Sequence, residues 1–189
     1  MKNYLLGVVL IAFVVSFPFQ SAAGSPKKGA KMKTLVVYYS FTGNTEIAAK
    51  EIAKELKADL RKVEDLKPYS KVSAYVKGSY AAKKGVNGEI KPVSFSLAGY
   101  DKIFVGSPVW AWNPVPAMNT FISNADFKGK EVVTFVTMGG NAGKTLEIMN
   151  SKITARGGKI IGSFAIKCGG KNPDEISASA KEEIQRLTE

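Results

Sequence analysis

Residues 34–57 read Thr34-Leu35-Val36-Val37-Tyr38-Tyr39-Ser40-Phe41-Thr42-Gly43-Asn44-Thr45-Glu46-Ile47-Ala48-Ala49-Lys50-Glu51-Ile52-Ala53-Lys54-Glu55-Leu56-Lys57. The opening run, Leu35-Val36-Val37-Tyr38-Tyr39, is unbroken, apolar, β-branched and aromatic, which predicts a strand covered on both faces in a parallel sheet. From Asn44 the period changes: Ala48, Ile52 and Leu56 fall on one face of a helix whose other face is Lys and Glu. A strand, a short polar loop and an amphipathic helix make the first half of a βαβ unit.

The same alternation continues outward. Residues 58–63 form a short second strand candidate, and residues 70–84 a helix carrying Val72, Tyr75, Val76 and Tyr80, ended by Gly85 and Gly88. Strands are expected at 102–107, 131–138 and 159–167, with helices at 115–124, 143–156 and 173–187. Five strands alternating with five helices, with no internal repeat, predict an α/β fold: a three-layer, doubly wound sandwich around a five-stranded parallel sheet. In such sheets ligands sit beyond the carboxyl ends of the strands, so the loops after strands one, three and four are the places to look for function.

Composition narrows the chemistry those loops can hold. The chain has 189 residues, no histidine, one cysteine and a formal net charge of +11. Without histidine there is no Ser-His-Asp or Cys-His triad and no imidazole metal ligand, and the lone Cys168 builds neither a disulfide framework nor a Cys-rich metal site. No catalytic side chain and no metal ligand set is assigned; any chemistry is expected to come from other groups or a cofactor.

Loop one, Ser40-Phe41-Thr42-Gly43-Asn44-Thr45, sets three hydroxyls, an amide and a permissive glycine at a helix N-terminus, where free backbone N–H groups and the macrodipole attract an anion. Simple N-capping accounts for one or two of those hydroxyls. After strand three comes Gly106-Ser107-Pro108-Val109-Trp110-Ala111-Trp112-Asn113-Pro114-Val115-Pro116-Ala117-Met118, which holds both tryptophans of the chain in one loop stiffened by three prolines. After strand four, Met138-Gly139-Gly140-Asn141-Ala142-Gly143-Lys144-Thr145 nearly spells a phosphate-binding P-loop, but Met138 stands at the required first glycine. Glycines there let backbone amides approach the polar edge of a flat ring.

These residues carry a resemblance. Ser40-Phe41-Thr42-Gly43-Asn44-Thr45 after an apolar strand looks like the FMN phosphate loop of the flavodoxins, and Gly106-Ser107-Pro108-Val109-Trp110 leading to Pro116-Ala117-Met118 resembles the second FMN loop of the shorter flavodoxin-like flavoproteins. The resemblance runs from Lys33 to about Thr188 and implies the strand order 2-1-3-4-5, bound FMN and electron transfer. It implies a cofactor site of Ser40, Phe41, Thr42, Gly43, Asn44 and Thr45 around the phosphate. Pro108, Val109, Trp110, Ala111 and Trp112 would lie at the isoalloxazine, with Trp110 as the main packing surface and Trp112 as a second candidate. Gly139 and Gly140 match the third loop only loosely. The sequence departs from the family pattern in having no aromatic in the third loop, a strongly basic charge and an export-like N-terminus.

Three functions fit this reading: an FMN-binding electron-transfer protein, an FMN-dependent NAD(P)H:quinone-type reductase, and a flavodoxin-like binding module that takes no flavin. The absence of G-x-G-x-x-G favours the first over the second.

Residues 1–23 have the form of a secretory signal: Lys2, an apolar run over residues 4–19, and the small residues Ser21-Ala22-Ala23. The expected organisation is a signal at 1–23, a Gly/Pro/Lys linker at 24–32 and a flavodoxin-like domain at 33–189. Cleavage at Ala23 would place the protein in the periplasm or cell envelope; an uncleaved anchor and a cytoplasmic protein translated from Met32 are the alternatives. Residues 24–91 hold 15 Lys/Arg against 7 Asp/Glu, and residues 92–189 hold 11 against 9, so the positive charge is concentrated before residue 92. That balance suits acidic redox partner proteins or an anionic envelope surface. Nucleic acid is not expected, because no basic motif with interleaved aromatics is present.

Overall fold

A parallel sheet of five strands forms the centre of the fold in the computed structural model, which describes residues 32–188. The signal and linker readings fall outside those residues, except at Met32. The strands are β1 (Thr34–Tyr38), β2 (Asp59–Lys62), β3 (Lys102–Trp110), β4 (Asn113–Pro114), β5 (Glu131–Met138) and β6 (Lys159–Lys167). All pair in parallel except β4, a two-residue strand that folds back antiparallel on the end of β3. The sheet order is β2-β1-β3-β5-β6, which, leaving out β4, is the expected 2-1-3-4-5 of five parallel strands.

The helices are α1 (Asn44–Leu56), α2 (Lys71–Ser73), α3 (Ser79–Lys83), α4 (Pro116–Asn124), α5 (Thr145–Ala155) and α6 (Pro173–Thr188). A π-helical turn, Ala74–Gly78, joins α2 to α3 in one irregular helix. Alternate residues of β1 enter opposite layers because strand side chains have period two. Val36 and Tyr38 pack with Ala48 and Ile52 of α1 and Ile176, Ala180 and Ile184 of α6. Leu35, Val37 and Tyr39 pack with Met118 and Ile122 of α4 and Met149 and Ile153 of α5. Two cores on two faces make the three-layer sandwich, and they account for the unbroken apolar runs of β1, β3 and β5.

The edge strands differ. β2 is mostly exposed and β6 alternates between exposed and covered positions, as expected for strands with a partner on one side only. The helical stretch over 71–83 packs on the sheet through small residues: Ala74, Gly78 and Ala82 are buried, whereas Val72, Tyr75, Val76 and Tyr80 face solvent. Among the described residues no helix is long and apolar enough to cross a membrane.

Candidate functional site

Because β1, β3 and β5 are neighbours, the loops that follow them lie side by side at the carboxyl edge of the sheet. The Tyr39 amide donates to Gly106 O at 3.2 Å, and Pro108 pairs with Thr137, so the three strands end in register. A buried hydroxyl pair, Thr45 Oγ1 and Thr137 Oγ1 at 2.7 Å, pins the first turn of α1 to the end of β5.

Loop one turns through Gly43, whose φ of 97° lies in the left-handed region that favours glycine. Ser40 Oγ accepts from the Glu46 amide at 3.2 Å and so satisfies one free donor of α1. Thr45 is buried with its hydroxyl committed to Thr137; what it adds to the helix N-terminus is its backbone N–H. Thr42 is exposed, and Phe41, Gly43 and Asn44 are half-buried. The one carboxylate in the first turn, Glu46, is held by Lys50 at 2.8 Å and Lys62 at 3.0 Å, which push its pKa below the usual range. An anion at this helix end therefore meets a carboxylate already neutralised by two lysines.

The two tryptophans have different settings. Ala111 and Trp112, with φ of 46° and 63°, are the two central residues of the β3–β4 hairpin, in which Trp110 pairs with Asn113. Trp112 is 62% exposed at the tip. Trp110 is turned into a cluster with Phe41 and Tyr69, each 5.5 Å between centroids, and Tyr39 at 6.2 Å, all edge-to-face. The rim of its ring lies where a Cβ on Gly78 would project. Pro108 and Val109 are half-buried beneath it, and the buried Ser107 ties the loop down, donating to Pro108 O at 2.8 Å and accepting from the Val115 amide at 3.3 Å.

The third loop closes over the hairpin. Gly143 packs against Trp112, and the Lys144 amide donates to Trp112 O at 3.2 Å. A Cβ on Gly143 would press on the Trp112 backbone, and its φ of 55° is itself strained for other residues. Gly139 and Gly140 face open space at their Cβ positions. Thr145 is fully buried with its hydroxyl donated to Ala142 O at 2.7 Å, so it is not presented to a metal-bound triphosphate.

A flavodoxin family model matches residues 33–168. The chain belongs to the flavodoxin family. A flavodoxin of Maridesulfovibrio salexigens is 29% identical, the match covering 76% of this chain and 91% of the relative. Among solved structures, a candidate flavoprotein from Bacteroides uniformis matches with a TM-score of 0.68 at 25% identity, over 79% of this chain and 98% of that one. A Lactobacillus acidophilus flavoprotein solved in complex with FMN has a TM-score of 0.66 at 24% identity, over 84% of this chain and all of that one.

Residues with no sequence signal lie next to loop one. Asp65 and Tyr69, from the segment after β2, stand behind loop one beside a cavity of about 290 Å³ that Ser40 and Phe41 also line. The Tyr39 hydroxyl donates to Asp65 Oδ2 at 2.6 Å. Burial raises the pKa of both groups, and the shared hydrogen bond raises Tyr39 further while partly opposing the rise at Asp65. Cys168 is buried, and burial also raises its thiol pKa, as suits a packing residue rather than a reactive one. A roomier cavity, about 680 Å³, lies away from the loops between residues 90–98 and the end of α4. It adjoins the start of β5, whereas ligands of such sheets sit at carboxyl ends.

The buried Asp65 carboxyl makes stability depend on pH. Its folded-state pKa lies above the unfolded value, so the native chain holds that proton more tightly. Stability is therefore lost as pH rises from the ordinary carboxylate range through the raised value. Asn at 65 still accepts from Tyr39 and carries no charge. Between about pH 4 and about pH 7, urea unfolding should show wild type losing stability relative to Asp65→Asn. A difference that stays constant over that interval would contradict the buried-carboxylate account.

Proposed function

We propose that this chain binds FMN at the loops after β1, β3 and β5 and passes electrons between protein partners without a substrate of its own. A helix N-terminus with no side-chain cap at Gly43, an exposed tryptophan and two open glycine positions meet on one edge of the sheet, and that meeting carries the reading. The donor set fits the group. A phosphate finds the backbone N–H groups of Gly43, Asn44 and Thr45, the Thr42 hydroxyl and the Asn44 amide, with no carboxylate in residues 40–45 to repel it. A planar ring finds the face of Trp112, with Ala111 keeping the tip small. Gly139 and Gly140 leave room for the backbone to reach its polar edge.

FMN, when bound, supplies one- and two-electron redox chemistry that no side chain here can supply. Ser40 and the Thr45–Thr137 pair hold the α1 terminus in place, Ser107 and Gly143 hold the hairpin, and Trp110 with Phe41 and Tyr69 keeps water from beneath it. Family membership and the FMN complex of the Lactobacillus acidophilus protein support the same cofactor.

Quenching of FMN fluorescence by the purified protein tests the site. Thr42→Ala with Asn44→Ala should weaken binding at least tenfold, since each hydrogen bond to a charged group contributes about 1.5–3 kcal/mol. Absence of quenching by the wild type rejects flavin binding. With FMN bound, anaerobic addition of NADH or NADPH should leave the yellow colour unchanged; rapid bleaching would make the protein a reductase.

A further inference from the structure

The helical stretch over residues 71–83 shows the wrong face to solvent for an ordinary surface helix. Its buried stripe is made of the small residues Ala74, Gly78 and Ala82. Its outward stripe is Val72, Tyr75, Val76 and Tyr80, each more than 60% exposed and Tyr75 84% exposed. The π turn at Ala74–Gly78 belongs to this geometry: the Ser79 amide donates to Ala74 O, and the wider turn keeps Ala74, Gly78 and Ala82 on the sheet side. Gly78 lies so close to Trp110 that no larger residue fits beneath, so the large apolar residues of the stretch are left outside.

The charge around that stripe is of one sign. Residues 66–88 contain Lys67, Lys71, Lys77, Lys83 and Lys84 and no Asp or Glu. All five lysines are exposed, and among the described residues none of them forms an ion pair. Much of the excess charge before residue 92 therefore flanks the exposed apolar stripe.

We propose that this face docks on an anionic lipid surface, with Val72, Tyr75, Val76 and Tyr80 in the interfacial layer and the lysines among the headgroups. An apolar stripe bordered by lysines is what lets a helix lie in a membrane interface, and tyrosine suits that layer because its ring is apolar and its hydroxyl wet. A second copy does not fit, because symmetric pairing sets two +5 faces against each other. An acidic protein fits less well. Fixed carboxylates favour the planar fork of arginine, and lysine is depleted at protein interfaces, whereas all five charges here are on flexible lysine stems. The proposal does not rest on flavin binding.

Vesicle cosedimentation tests it with the chain starting at Gly24, so that the apolar run before it plays no part. Both cores are built from residues 35–184, and Lys31–Glu189 is a compact unit by itself. The protein should bind vesicles of phosphatidylglycerol and phosphatidylcholine in equal parts, and bind pure phosphatidylcholine at least tenfold more weakly. Val72→Ser with Tyr75→Ser and Val76→Ser should reduce partitioning roughly tenfold or more, and Lys71→Gln with Lys77→Gln roughly 10- to 30-fold. The control, Lys128→Gln with Lys130→Gln, removes the same charge elsewhere and should change little. Equal loss in the control, or failure to bind the anionic vesicles, overturns the proposal. So does tight binding to soluble poly-glutamate that ignores the Val72, Tyr75 and Val76 substitutions, which would make the face a docking site for acidic protein. Because the assay contains no flavin, its failure leaves the cofactor reading untouched.

Discussion

Gly106→Ala is expected to destabilise the protein by about 1–3 kcal/mol, the usual cost of overpacking a filled core. Gly106 sits inside β3 between β1 and β5, pairing with Tyr38 on one side and Phe135 on the other. The space its side chain would take is occupied by the Phe135 ring, with Cε2 2.6 Å and Cε1 2.7 Å from an ideal Cβ. Phe135 cannot yield, because it is fully buried and stacked on Phe164 at 5.7 Å. Away from this ring, an alanine in a strand would gain stability over glycine by limiting the unfolded chain. Phe135→Leu should relieve the clash, so the double variant should be more stable than the sum of the two single losses predicts. Additive urea midpoints would show that ring and glycine are not in conflict. The loss should also reach the site, since Gly106 O receives the Tyr39 amide just before loop one and Ser107 anchors the hairpin.

The tryptophans should separate binding from folding. Trp112→Ala removes an exposed ring, so the flavin-free unfolding midpoint should change little. FMN affinity should fall roughly tenfold or more, on about 1–3 kcal/mol for stacking a heteroaromatic ring on an aromatic side chain. Trp110→Ala should instead lower stability by about 2–4 kcal/mol, less than a fully buried aromatic, because Phe41, Tyr69, Tyr39 and Gly78 lose their common neighbour. Its effect on FMN should follow from a loosened hairpin and be smaller than that of Trp112→Ala once folded protein is normalised. Should Trp110→Ala abolish binding while leaving the midpoint unchanged, the two roles are reversed.

Much of this was legible in order along the chain. Strand and helix periods are local properties of residue spacing, so residues 34–57 announced a strand, a polar turn and an amphipathic helix, and the pattern repeated to residue 187. The fold followed because alternating parallel strands and helices leave few ways to cover both faces of a sheet. Loops Ser40–Thr45 and Pro108–Trp112 were recognisable because glycine, hydroxyl and tryptophan positions are written consecutively. The short β4 was not: Asn113 and Pro114 carry no strand signal, and their pairing depends on the left-handed turn at Ala111 and Trp112.

Residue types and their spacing establish the set of elements, the absence of imidazole chemistry and the polar loop at the start of α1. Which hydroxyls remain available depends on the packing of distant segments. Ser40 and Thr45 spend theirs on Glu46 and Thr137, a partner 92 positions away, while Thr42 stays outside. That packing also set Trp110 in an aromatic cluster and Trp112 at an exposed tip, and it turned Val72, Tyr75, Val76 and Tyr80 toward solvent although their spacing alone suits a core. Helical spacing shows that residues share a face; which face is covered depends on what lies across from it. Here the rim of Trp110 leaves no room for a side chain at Gly78.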